Sequence, residues 1–136
     1  MPALIDICDE IDNNCDQLID DNGSNSYYMD ADEDGFGDPN QMIESCEPPQ
    51  GYVDDYTDCD DTDPLLNPNT PWYLDTDGDG FGDLNYTIQS CLQPSSYVDN
   101  SLDCDDSDIS IHPNAVDICD AIDNNCNGII DDGLLT

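Results

Sequence analysis

Asp75-Thr-Asp-Gly-Asp-Gly-Phe-Gly-Asp83 places aspartates at the first, third, fifth and ninth positions of one short stretch, and a glycine at the sixth. Alternate residues of a tightly turned loop aim their oxygens at one centre, and Ca2+ takes about six to eight such oxygens. Asp75, Asp77 and Asp79 would supply carboxylates, Phe81 its main-chain carbonyl, and Asp83 a carboxylate bound directly or through water. Gly80 permits the turn, because a residue without Cβ enters positive φ freely. At the twelfth position, where an EF-hand carries a bidentate glutamate, stands Tyr86. The loop is therefore not an EF-hand, and its remaining oxygens must come from elsewhere in the chain.

The loop is one member of an internal repeat, which outweighs any local propensity. Residues 27–70 align with 72–115 at a constant offset of 45, without a gap. Asp30, Asp32, Asp34, Phe36 and Asp38 thus form a second loop of the same kind. The segment Asp58-Cys-Asp-Asp-Thr-Asp63 overlays Asp103-Cys-Asp-Asp-Ser-Asp108. Like charges this dense are costly without a cation. Asp58, Asp60, Asp61 and Asp63, with Asp103, Asp105, Asp106 and Asp108, are therefore expected either to complete the loops or to build separate sites.

A shorter unit recurs at an offset of 111, with Asp6-Ile-Cys-Asp-Glu-Ile-Asp-Asn-Asn-Cys15 matching Asp117-Ile-Cys-Asp-Ala-Ile-Asp-Asn-Asn-Cys126. In the first copy Asp12, Asn14, Asp16, Leu18 and Asp20 take the ligand positions, with Gln17 where glycine is expected. In the second they are Asp123, Asn125, Asn127, Ile129 and Asp131, with Asn127 where aspartate is expected. Both rank below the long-unit loops. The order is short, long, long, short: units over 1–26, 27–70, 71–115 and 116–136, expected to form one continuous rod-like module.

Composition narrows the function. The chain has 136 residues, no Lys or Arg, and a formal charge of −34. Only Glu10, Glu33, Glu44 and Glu47 are glutamates; every other acidic residue is aspartate. A solvating acidic tail has no reason to prefer the shorter side chain, whereas a converging metal loop has. With no cation to meet phosphate, nucleic acid and anionic membrane surfaces are excluded as partners. No apolar run is long enough to span a bilayer. Met1-Pro-Ala-Leu-Ile-Asp6 lacks the basic and apolar regions of a signal peptide, so export is expected to be encoded outside these residues.

Eight cysteines in an acidic, repeat-built chain read as a disulfide framework formed in an oxidising compartment. Zinc, the rival reading, prefers closer cysteine pairs. The nearest pairings in sequence are Cys8 with Cys15, Cys46 with Cys59, Cys91 with Cys104 and Cys119 with Cys126. Apolar residues come in ones and twos, too sparse for a sizeable core, so disulfides and metal must substitute for one.

The expected fold is a small, irregular, β-rich repeat protein of short hairpins and single helical turns. Tyr27-Tyr-Met29 and Trp72-Tyr-Leu74 read as strands entering the loops, residues 41–46 and 86–91 as strands leaving them. Tyr52-Val53 and Tyr97-Val98 give a third short strand. Asp6 and Asp117 would N-cap a helical turn ahead of each short loop. His112 aligns with Asn67 and reads as a turn residue; Trp72 aligns with Tyr27 and reads as a packing aromatic. Paired carboxylates suit glycosidases, but a catalytic pair is singular and these recur. No nucleophile arrangement is present, so no enzyme is expected. Asn22-Gly-Ser24 and Asn85-Tyr-Thr87 fit the glycosylation pattern.

These residues carry a family resemblance. Asp-x-Asp-x-Asp-Gly-Phe-Gly-Asp resembles the loops of thrombospondin type 3 repeats. Its combination with Ile-Cys-Asp-x-Ile-Asp-Asn-Asn-Cys and Asp-Cys-Asp-Asp resembles the MopE-type metal-binding repeats of bacterial secreted and surface proteins, over nearly the whole chain. That family takes its name from a copper protein with a modified tryptophan; no His pair or Met cluster here suits copper, so that role is not carried over. The resemblance implies an extracellular, calcium-loaded, non-catalytic repeat module at the cell surface. Four to six Ca2+ per chain are expected. A structural or adhesive role follows, as a surface fibre whose near-identical ends join one chain to the next, with glycans or other surface proteins as further partners. A docking module of a secreted enzyme and a mineral-nucleating protein are the alternatives.

Overall fold

The computed structural model describes residues 6–20 and 24–132, which fall into two compact units, 1–68 and 69–136. The first joins a short unit to the long unit after it; the second joins a long unit to the short unit after it.

In the first, β1 (Asn25–Met29) lies between β2 (Met42–Ser45) and β3 (Tyr52–Val53) in an antiparallel sheet of order β2-β1-β3. Aromatic and branched residues suit a half-buried pleated surface, and the register sets Tyr27 opposite Ile43 and Tyr28 opposite Met42. The Met29 N–H donates to the Gln41 carbonyl at 3.0 Å, and the Asp38 N–H to the Met29 carbonyl at 2.8 Å. The aspartate loop is therefore the turn of the hairpin.

The second unit repeats this with β4 (Pro71–Leu74), β5 (Asp83–Gln89) and β6 (Tyr97–Val98), in the order β5-β4-β6. Here β5 starts within the loop itself, at Asp83 opposite Leu74, and the register shifts between Tyr73 and Leu74. No helix is present among the described residues. The expected helical turns give way to a different use of Asp6 and Asp117, described below.

Apolar packing is slight. Trp72 and Ile111 are the only buried hydrophobic side chains among the described residues. Trp72 is the packing aromatic expected of it, with its indole N–H donating to the Ser90 carbonyl at 2.8 Å. Tyr28 meets Tyr56 with ring centroids 5.4 Å apart, and Phe81 stacks on His112 at 5.5 Å. The most deeply buried large side chains among the described residues are carboxylates, Asp6 at 0% and Asp117 at 1% exposure.

The disulfides correct the nearest-neighbour pairing. Cys8 is bonded to Cys46 and Cys104 to Cys126, while Cys15 and Cys119 are free and exposed. Cys59 and Cys91 are disulfide-bonded as well. Each short unit is thus stapled to a long unit instead of closing its own loop. In the short motif the chain turns at Glu10 and Cys15, both at positive φ.

A second glycine of the loop proves as consequential as the first. Gly80 has φ +94°, as the turn requires. A Cβ on Gly82, however, would lie 2.6 Å from Tyr73 Cβ and 2.7 Å from the Asn100 carbonyl oxygen. Gly37 is packed identically against Tyr28 and Asp55. Backbone cannot yield as a flexible side chain would. Gly82→Ala is expected to cost about 3 kcal/mol, against about 1 kcal/mol for Gly78→Ala, which has open space but a φ of +82°. Thermal unfolding of the two variants in excess calcium would rank them.

Candidate metal centre

Each long-unit loop is pre-shaped by hydrogen bonds from its own backbone. Asp30 accepts from the N–H groups of Asp34 (3.2 Å) and Gly35 (3.1 Å), Asp32 from Asp34 (3.2 Å), and Asp34 from Phe36 (2.9 Å). The second loop is ordered likewise through Asp75, Asp77 and Asp79, except that Asp75 Oδ1 accepts from the Gly78 N–H where Asp30 Oδ1 accepts from Asp34. Asp30 and Asp75 accept with both oxygens, whereas Asp32, Asp34, Asp77 and Asp79 each keep a buried Oδ2 without a partner.

The Asp-Cys-Asp-Asp segments are brought onto the loops by those close-packed glycines. The Asp58 N–H donates to the Gly37 carbonyl and the Asp103 N–H to the Gly82 carbonyl, each at 3.2 Å. Asp61 then accepts from the Ala31 N–H at 2.7 Å, and Asp106 from the Thr76 N–H at 2.7 Å. The result is a pair of carboxylate clusters in the first loop: Asp30, Asp32 and Asp61, and Asp32, Asp34 and Asp58, the oxygens of each lying within 4.8 Å of one another. Asp32 belongs to both. In the second loop Asp75, Asp77 and Asp106 form the counterpart of the first cluster. The segments therefore join the loops, and only half of each segment does so. Asp60 and Asp63 cap Thr62 and Leu65, and Asp105 and Asp108 cap Ser107 and Ser110.

Asp38 and Asp83, the ninth loop residues, cap the turn that follows. Each accepts from the backbone and side-chain N–H groups of Asn40 or Asn85 at 2.7–2.9 Å. The bond from the Asn40 backbone, then that from the Gln41 amide, holds Asp38 below the usual carboxylate range. Asp32, Asp58, Asp77 and Asp103 are pushed the other way, first by desolvation and then by the charges of neighbouring aspartates.

The decisive observation is what these carboxylates lack. Asp32, Asp34 and Asp58 each bury an Oδ2 with no hydrogen-bond partner, and so do Asp77, Asp79 and Asp103. The same three positions recur in both copies. A buried polar atom without a partner costs about 1–3 kcal/mol, and more when charged. Lacking Lys and Arg, the chain has no protein cation to meet them. A donor set made wholly of carboxylate oxygens fits a hard divalent cation.

In the first short unit Asp6, Asp12 and Asp16 converge. Asp6 does not cap a helix; its Oδ1 accepts from the N–H groups of Asn13 (2.7 Å) and Asn14 (3.0 Å). Asn14 orders the loop by accepting from the Asp16 N–H at 2.8 Å, and Asp16 from the Leu18 N–H at 2.8 Å. Asp20 caps Asp9 and Glu10 from outside the cluster. The sequence motif did contain Asp6 and Asn13, both repeated at the offset of 111, and that repetition was the available signal for their role. Gln17 keeps the loop turn at φ +79°, where its counterpart is Gly128 at +88°. Gln17→Gly is therefore expected to stabilise this loop by up to about 1 kcal/mol, read as a higher thermal midpoint.

The second short unit closes differently. Asn127, standing where Asp16 stands in the first, donates its amide to Asp132 at 2.8 Å, and Asn125 donates to the same carboxylate at 3.2 Å. These amides, Asn127 foremost, hold Asp132 low. Asp123 accepts from Asn127 and Gly128, Asn127 from Ile129, and Asp131 from Asp120 and Ala121. Side-chain amides here do part of what a cation would do.

Residues 1–21, 58–71 and 103–132 match the Cu-binding MopE family model, described as "Putative metal-binding motif". The match covers the short units and the Asp-Cys-Asp-Asp segments. No curated protein and no solved structure matches the chain. Fold and motif together define a small β-rich, disulfide-stapled module with a metal-binding motif. No helix among the described residues is long and apolar enough to cross a membrane.

Proposed function

We propose that the chain is a calcium-stabilised structural and adhesive module that works outside the cell, as the subunit of a surface fibre. The reading rests on the orphaned carboxylate oxygens, which recur at equivalent positions in both long units. Two ions sharing Asp32 in the first long unit, and two sharing Asp77 in the second, would satisfy them. A further ion on Asp6, Asp12 and Asp16 brings the chain within the expected four to six. Calcium is favoured because its coordination number and geometry are flexible, whereas magnesium holds its water and demands a near-octahedral site.

The carboxylates act here as structural ligands, and we assign the chain no catalytic role. Disulfides persist outside the reducing cytosol, which supports placement at the cell surface. Calorimetry of the metal-free protein tests the assignment. Calcium is expected to bind at two sites per long unit, with magnesium far weaker. Equal affinity for the two ions would overturn the choice of calcium.

A further inference from the structure

We propose that Asn85 is an N-glycosylation site, carrying a neutral glycan that shields the outer edge of β5 and spares the calcium loop beside it. The proposal rests on the reading above only in placing the chain outside the cytosol. Asn-x-Ser/Thr is the acceptor sequence of N-linked transfer. Asn85-Tyr-Thr87 lies wholly among the described residues, whereas Asn22-Gly-Ser24 falls partly outside them.

The setting of Asn85 is open. Every residue from Leu84 to Gln89 is exposed, on the outer strand of the order β5-β4-β6. The register pairs Tyr73 with Thr87 and Leu74 with Asp83, so Leu84, Asn85 and Tyr86 stand in the bulge between those pairs, opposite no residue of β4.

The edge itself calls for cover. Outer strands are commonly blunted by charge, because their free N–H and C=O groups invite another chain. β2, the outer strand of the first unit, carries Glu44. At the equivalent positions the second unit has Gln89 for Glu44 and Thr87 for Met42. The charge is lost where the acceptor sequence is gained. Leu84, Tyr86 and Ile88 all stand exposed on this uncharged strand. A glycan is bulky and solvating, and does for β5 what charge does for β2.

The space beside Asn85 fits a sugar. A cavity of about 700 Å³ adjoins it, lined in part by Leu84, Tyr86, Ser101 and Ser107, against about 400 Å³ at the equivalent place in the first unit. Hydroxyls and an aromatic ring suit a neutral saccharide. With no Lys or Arg in the chain, nothing suits an acidic one.

The donor is a lipid-linked oligosaccharide pyrophosphate. The Asn85 amide nitrogen bonds to the anomeric carbon as the carbon–oxygen bond to the pyrophosphate breaks. The lipid pyrophosphate leaves with that electron pair, and the amide gives up one proton to a base of the transferase. An asparagine amide has two N–H groups. Asn85 donates one to Asp83 at 2.7 Å, and its backbone N–H donates to the same oxygen at 2.7 Å. The other amide N–H is replaced by the sugar, so both caps on Asp83 survive.

The test produces the full chain in the oxidising compartment of a host that has an N-oligosaccharyltransferase and its lipid-linked donor. Intact mass and peptide mapping read the modification, and thiol labelling reads the Cys104–Cys126 bridge in the same chains. A glycan on Asn85 is expected, absent in Thr87→Ala. Bare Asn85 in bridged chains would overturn the proposal and leave the reading beneath it standing; chains that never form the bridge would defeat the placement outside the cytosol. Calorimetry should give the modified chain the calcium affinity of Thr87→Ala, and a weaker one would refute the sparing of the loop. Chymotryptic cleavage after Tyr86 in calcium should be several-fold slower in the modified chain than in Thr87→Ala. Equal rates would refute the shielding of β5.

Discussion

Chelation with EGTA is expected to abolish the dispersed amide signals of both three-stranded sheets, and added calcium to restore them. Ordering a chain costs about 1–2 kcal/mol per residue in backbone entropy, and Trp72 and Ile111 are the only buried apolar side chains among the described residues to offset it. The sheets are short and the hairpin turns are the metal loops, so the free energy of binding becomes free energy of folding. Disulfides contribute typically about 2–4 kcal/mol each, chiefly by restricting the unfolded chain, which leaves the metal-free protein compact without fixed strands. Acid should partly replace the metal. Asp32, Asp58, Asp77 and Asp103 have raised values in the folded chain. The folded state therefore binds more protons than the unfolded one, and metal-free stability falls as pH rises through the interval between their ordinary and raised values. Asp38, Asp108 and Asp132 are lowered and act oppositely, but only below the ordinary range. Order regained on mild acidification in EGTA, followed by amide NMR, checks the sign; a metal-free chain fully folded at neutral pH would refute the coupling.

Asp32→Ala is expected to empty both clusters of the first long unit together. Its carboxylate is common to the group with Asp30 and Asp61 and to the group with Asp34 and Asp58. Calcium affinity there should fall by more than roughly a hundredfold, since loss of an outer-shell partner alone can reach that scale. Glu33→Ala, one residue away, should change little. Glu33 sits at φ +65°, and its counterpart in the other loop is Gly78, so its carboxylate has no repeated role. Titration of the two variants by calorimetry distinguishes shared ligation from general acidity; equal losses would refute the assigned register.

The strands, the hairpin turns and the first cluster of aspartates were legible because the repeat displays them twice. Even the backbone obeys it: Gly51 and Ser96 share positive φ, as do Gln17 and Gly128. Three features were not legible. The disulfides bridge cysteines 38 and 22 residues apart, a pairing that nearness along the chain does not encode. Asp6 and Asp117 looked like helix caps because aspartate before a short apolar segment fits that pattern, yet their oxygens reach seven residues forward to Asn13 and Asn124. The division of Asp58-Cys-Asp-Asp-Thr-Asp63 into inward and capping carboxylates depends on the tie to Gly37, a contact between segments that no local spacing encodes.

The Cys8–Cys46 bridge also has a mechanical consequence. It spans 38 residues of sequence while holding its two Cα atoms 5.3 Å apart. Pulled straight, that much chain would lengthen by about 3.3–3.6 Å for each residue. With the bridge intact, tension along the polypeptide passes across the sulfurs and leaves the enclosed loop slack. The first long-unit loop, from Asp30 to Asp38, lies wholly inside it, so tension applied beyond the bridge does not reach that loop until the covalent link itself is reduced.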